Sequence, residues 1–149
     1  MQGIDNLVND SFNLIGDKST GVNLLEKLKY TLVDRLKFYE LKNIENSLNK
    51  DITIDKGDIN CTIKIENNKD NTSRIKKIIN SDTLTIVLEG NITVSIHDKS
   101  PSKLENLQYI SKNKGIVLAK NTIIDELIAK DTILFIMTTD SKEKRLELN

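Results

Sequence analysis

The sequence predicts an α+β chain, mainly β, with helices at the N-terminus and an antiparallel β-barrel or sandwich after them. Two observations carry that expectation. Apolar residues recur at helical spacing as far as Leu48, and from Ile52 onward they recur every second residue. The stretch 83–96, TLTIVLEGNITVSI, also places alternating Leu84, Ile86 and Leu88 before Gly90-Asn91, and alternating Ile92, Val94 and Ile96 after it. Alternation on both sides of a Gly-Asn pair is a β-hairpin signal. A two-residue turn would set Ile86 opposite Ser95 and Leu88 opposite Thr93, mixing apolar and polar residues on one face. A three-residue loop instead pairs Leu88 with Ile92, Ile86 with Val94 and Leu84 with Ile96, so the expected structure is the hairpin with the odd loop.

The helical part comes first. Ile4, Leu7, Val8, Phe12 and Ile15 form one stripe, and Gly16 can close that short helix. A second helical pattern covers 22–48, with Asn23 and Glu26 placed like a capping pair. Leu25, Leu28, Leu32, Leu36 and Tyr39 share one face, whereas Leu41, Ile44 and Leu48 fall nearly opposite. Either the helix breaks at 38–40 or its halves meet different partners. A second apolar face left in water is an aggregation liability, so Leu41, Ile44 and Leu48 are the candidate self-association residues, and a homo-oligomer is expected.

The strands follow in order. Ile52 and Ile54 precede a Lys56-Gly57-Asp58 turn, and Ile59, Cys61, Ile63 and Ile65 alternate after it. A polar loop at 67–73 leads to an irregular strand carrying Ile75, Ile78 and Ile79. Beyond residue 96, the loop 97–106 holds the single proline, Pro101. Short strands are then expected at 107–110, 116–119 and 123–128. The run 132–138, TILFIMT, is continuously apolar, as in a strand buried on both faces. Three segments result: helical 1–49, β-rich 50–140 and a charged tail 141–149.

Composition narrows the function classes. A chain of 149 residues suits one domain, and Lys plus Arg equals Asp plus Glu at 22 each. The zero formal charge disfavours a polyanion partner, so nucleic acid is not expected. Aromatics are 4% with no Trp, against stacking platforms. One cysteine permits no disulfide within the chain. No run approaches a membrane span, and the first residues lack a basic, apolar leader. The expected location is cytoplasmic, or a virion if the chain is viral.

With these strands placed, the region 81–137 resembles the cupin superfamily. TLTIVLEGNITVSI resembles the strand pair around the glycine that ends the first cupin motif, while NKGIVLAKNTIIDEL and KDTILFIM resemble the second motif and the closing strand. The resemblance implies a cupin-like β-barrel or sandwich. Its metal chemistry does not carry over. With Gly90 as the motif glycine, the glutamate position falls at Thr83 and the two histidine positions at Lys77 and Ile79, or at Lys76 and Ile78. Aligning Ala119-Lys120-Asn121 with the second motif puts Ile124 at its histidine. No metal, catalytic or cofactor residue is therefore expected.

Other candidates read as structural. His97, the only histidine, has outward parity at a strand end, so it is expected in solvent and away from the interior histidine of metal-free cupin-like epimerases. Cys61 shares parity with Ile59, Ile63 and Ile65 and reads as core. Asp125 and Glu126 are adjacent, so on a strand they face opposite sides, and the surface is expected for them. Lys112, Lys114, Lys120 and Lys130 read as a solvated rim, and Gly115 as a turn residue.

The expectation is a non-enzymatic cupin-like assembly or interaction protein without cofactors, self-associating, and conceivable as a structural subunit of a larger particle such as a virion. The alternatives are a small-molecule or sugar-modifying enzyme and a metal-free ligand-binding barrel. A solid aliphatic interior favours the first, and an interior with convergent polar groups favours the others.

Overall fold

Residues 3–15, 20–37, 51–57, 59–97 and 106–141 are described in the computed structural model of the chain. Helix α1 (Ile4–Ile15) buries Ile4, Leu7 and Val8, and its inward Ser11 hydroxyl donates to the Leu7 carbonyl at 2.9 Å. Helix α2 (Gly21–Leu36) buries Leu25, Leu28, Leu32 and Leu36, the expected stripe, and Leu24 beside them, while Tyr39 lies outside the described residues. Each of these leucines contributes about 1.5–3 kcal/mol by leaving water. The expected capping pair is corrected. The N-cap is Thr20, and Gly21, at φ +59, turns the chain into the helix ahead of Asn23. Glu26 pairs with Lys29 at 3.0 Å instead. The change of helix face, with Leu41, Ile44 and Leu48, lies outside the described residues.

Nine strands follow: β1 (Asp51–Lys56), β2 (Ile59–Asn68), β3 (Ser73–Ile78), β4 (Asp82–Glu89), β5 (Asn91–His97), β6 (Asn106–Ser111), β7 (Gly115–Leu118), β8 (Ile123–Ile128) and β9 (Thr132–Ser141). They form two antiparallel sheets, ordered β1-β2-β9-β4-β7 and β3-β8-β5-β6. From β2 to β5 each strand lies in the other sheet from its predecessor, and the same holds from β6 to β9. With β1 added at one edge, this is the two-sheet arrangement of a jelly roll. Of the two forms expected, it is the sandwich: among the described residues no ladder joins one sheet to the other, so the barrel is not closed.

The expected hairpin at 83–96 is not formed. β4 pairs with β9 and β7, whereas β5 pairs with β8 and β6. Leu84, Ile86 and Leu88 pack with α1 and α2 in one apolar cluster, while Ile92 and Val94 pack between the sheets in a second. The two alternating sets are both buried, but in different cores. β4 can serve both because its alternate residues Thr83, Thr85 and Val87 are buried as well, on the inter-sheet side. A bulge at Leu88 and Gly90, at φ +81, then steer the chain from one sheet into the other.

The molecule therefore has three layers. The helices cover the outer face of the five-stranded sheet through Ile54, Cys61, Ile63, Ile65, Leu84, Ile86, Phe135 and Met137. The inner faces of the two sheets meet through Val87, Ile92, Val94, Ile110, Ile116, Leu118, Ile124, Ile128 and Leu134. β9 is buried on both faces, as its continuous apolar run predicted.

The corner at Gly90 is closely fitted. A methyl group on Gly90 would sit 2.8 Å from the Thr132 α-carbon. The Thr132 hydroxyl donates to the Asn91 carbonyl at 3.1 Å and lies 3.3 Å from the Asn91 amide. Gly90→Ala is expected to lose about 2–4 kcal/mol, from a disfavoured positive φ and an overfilled contact together. Urea unfolding measures this, and a loss below about 0.5 kcal/mol would show that the corner relaxes freely.

Candidate functional site

The space between the sheets is only partly aliphatic. β2 turns Ile59, Cys61, Ile63 and Ile65 toward the helices, so Lys64 and Glu66 face the inter-sheet side. Along the β2 and β3 edge the sandwich opens into two cavities. One, of about 260 Å³, is lined by Lys64, Glu66, Asn68, Ser73, Ile75 and Thr132 among others. The second, of about 220 Å³, lies between β3 and β4, with Lys77, Thr83, Thr85, Glu126, Ile136 and Thr138 in its wall.

Glu126 supplies the carboxylate in the wall of the second cavity. It stands on β8 between Ile124 and Ile128, both buried between the sheets, and is itself only 5% exposed. Lys77 reaches it from β3, with Nζ 3.5 Å from Oε1 and its own side chain half-exposed. Thr85 is buried beside them, and the Thr83 hydroxyl donates to the Ser81 carbonyl at 2.7 Å. An ammonium, a carboxylate and threonine hydroxyls thus converge on a space that solvent can enter. The arrangement suits hydrogen bonding to a small polar molecule, with a donor cation and an acceptor anion at fixed separation. Of the lining residues only Lys77 and Glu126 ionise, so a carboxylate pair for acid–base work is not assembled here. Asp125 lies on the opposite face of β8, as alternation predicted, but the surface position expected for Glu126 is wrong.

The positions that the cupin resemblance assigned to metal ligands can now be placed. Lys77, Ile79 and Thr83 all line the cavity around Glu126, and Ile124 is fully buried in the neighbouring aliphatic cluster. An ammonium and apolar chains stand where imidazoles would, and these do not fit a metal ion. Among the described residues no three His, Cys, Asp or Glu side chains are grouped to hold one.

The outer face of the second sheet carries the other polar constellation. His97 points outward, as predicted, but is not simply solvated: its Nε2 lies 2.8 Å from Asp125 Oδ2, with both side chains largely covered. Arg74 Nε stands 4.0 Å from the other Asp125 oxygen. The His97 hydrogen bond, aided by the Arg74 charge and opposed by partial burial, holds the Asp125 carboxyl below its ordinary range. Around this group Leu107, Tyr109 and Leu127 are 66%, 64% and 42% exposed.

The remaining candidates stay structural. Cys61 is fully buried, and burial pushes its thiol up to about 11. Lys112 pairs with Glu89 at the surface. Gly115 opens β7 rather than lying in a turn, with Ile86 and Lys29 close against it. Sequence reasoning missed Glu126; alternation groups it with Ile124 and Ile128, but Asp125 lies as evenly between Ile123 and Leu127, so the sequence does not mark the inward face of β8.

Two measurements follow from these groups. The depressed Asp125 pKa means its contribution is complete above the ordinary carboxylate value of about 3.9 and is lost as pH falls through and below it. Wild-type stability in urea should therefore drop more steeply below about pH 4 than that of Asp125→Asn; parallel curves would refute the assignment. For Cys61, about a thousandth of the thiol is ionised at pH 8, and it is buried as well. A chromogenic disulfide reagent should leave the native protein unmodified and label one thiol in denaturant. Rapid labelling of the native protein would show the pocket to be open.

No family model and no curated protein matches this sequence. Solved structures do resemble it. A cupin-2 domain protein from Shewanella frigidimarina aligns with a TM-score of 0.43 and 11% identity, over 72% of this chain and 98% of that one. The EutQ protein of Clostridium difficile aligns with a TM-score of 0.41 and 15% identity, over 61% of this chain and 66% of its own. The Drosophila melanogaster CENP-C cupin domain gives 0.41 and 10%, over 62% and 77%. The likeness is one of fold alone; by its own strand order the chain is a two-sheet antiparallel sandwich.

Proposed function

We propose that this chain is a non-enzymatic cupin-like module that binds a small polar ligand in the cleft at Lys77 and Glu126. One observation carries the reading: a carboxylate almost wholly buried between the sheets, held by a lysine at a solvent-accessible mouth. Apolar residues of similar size are often as stable as a buried ion pair. An ion pair kept beside an otherwise aliphatic core therefore speaks for recognition. The ligand class that fits is a small molecule combining hydroxyls with a carboxylate or an amine, such as a sugar acid or hydroxy acid.

The test is a thermal-shift panel of sugar acids, hydroxy acids and neutral monosaccharides against wild type, Lys77→Met and Glu126→Gln. A ligand at a hundred times its dissociation constant stabilises by about 2.7 kcal/mol, a rise of several degrees for a chain of this size. At least one class should raise the wild-type Tm and leave both variants unmoved. A flat response across the panel, or equal shifts in the variants, would defeat the reading.

A second reading is assembly: a homo-oligomer in a cytoplasmic setting, of the kind that supplies structural subunits to a particle such as a virion. The observation favouring it is the asymmetry of the layers. Helices cover one sheet, whereas Leu107, Tyr109 and Leu127 of the other are exposed. Jelly rolls serve in capsids and lectins as well as in cupins. Self-association through Leu41, Ile44 and Leu48 belongs to the same reading.

A further inference from the structure

From the outer face of the second sheet we infer a two-fold dimer contact with a second copy of this chain, with the axis parallel to the strands between β8 and β5. The inference rests on the assembly reading and names its surface and partner. The registers arrange the outward residues in rows across β3, β8, β5 and β6. One row is Arg74, Leu127, Thr93 and Tyr109; the next is Lys76, Asp125, Ser95 and Leu107. Both of these rows are cationic at the β3 end and apolar or aromatic at the β6 end, and a further outward row, Ile78, Ile123 and His97, lies beyond them.

A face that meets its own copy does so about an axis lying in the contact plane. Two simple directions exist. An axis across the strands sets β3 against β3, bringing Arg74 and Lys76 onto the same two charges of the partner, which repel. An axis along the strands sets β3 against β6 and keeps each row in register. Arg74 then meets the partner's Tyr109, a cation on an aromatic face, and Lys76 lays its methylene stem on the partner's Leu107. Leu127 meets the Thr93 methyl group, and Asp125 meets the Ser95 hydroxyl. Both directions leave the strands of the two copies aligned, and only the second matches cation to aromatic and acceptor to donor across the face. Among the described residues the chain's own apolar helix stripes are committed to the other sheet.

The test uses the full chain. Sedimentation equilibrium should show a wild-type dimer, and Tyr109→Asp or Leu107→Asp should raise its dissociation constant at least about tenfold, with circular dichroism unchanged because both side chains are exposed. Cross-linking fixes the axis. The double variant Arg74→Cys, Tyr109→Cys should give covalent dimers with a short bis-maleimide, and neither single variant should, the native Cys61 being buried. A monomeric wild type overturns both this contact and the assembly reading. A dimer that resists the aspartate variants but is lost in Leu41→Asp, Ile44→Asp overturns this contact and leaves assembly standing, as does cross-linking by Arg74→Cys alone.

Discussion

Gly90 and Thr132 compete for the same space, and the rest of the sandwich depends on Gly90 yielding it. Without a side chain at residue 90, the Thr132 hydroxyl can bond both the amide and the carbonyl side of Asn91. The neighbouring turn from β8 to β9 is held in the same way. The Asn68 side-chain amide donates to the Ile128 and Ala129 carbonyls, and the Asp131 amide donates to the Asn68 carbonyl at 2.6 Å. Two sheet-changing turns and the end of β2 are thus tied at one corner. That tie decides which side of β4 meets the helices and which side of β5 meets β8. Both cores inherit their membership from it.

The polar cleft is a consequence of the same assignment. The five-stranded sheet commits one face to the helices right across β1, β2, β9 and β4. Its other face is largely apolar over β9 and β7, where the second sheet presses on it, mixed at β4, where Thr83 and Thr85 precede Val87, and polar at β2. Lys77 and Glu126 stand at the boundary between the two regimes. There a charge pair keeps partial access to water, so its desolvation cost is smaller than in a closed core.

Much of the fold was legible in the sequence. β8 was read at its observed residues, and the leucine stripe of α2 appeared at its expected spacing. The pairing around Gly90 was not legible. Alternation reports which residues of a strand share a face, but not which neighbour or which core that face will meet. Leu84 and Ile92 therefore looked like one surface while belonging to two. Thr83 and Thr85 were not among the residues read as buried, because threonine gives no sign that a second sheet will cover it. Glu126 was hidden in the same way. Adjacency to Asp125 showed that one of the two must point inward, and only the partner sheet shows which.

The long reach of the β2 to β9 ladder sets a kinetic condition on this chain. Ile63 meets Ile52 of β1 locally, but its partner on the other side, Met137, comes only after the other described strands. Pairings so distant in sequence are slow, since loop closure must precede any gain from contact. During synthesis the apolar side of β2, with Ile59, Cys61, Ile63 and Ile65, exists long before its central neighbour does. α1 and α2 precede it, form from local contacts, and carry the stripes that later cover that side. In the finished fold an N-terminal helical layer covers the first long strand, whose central neighbour is the last described one.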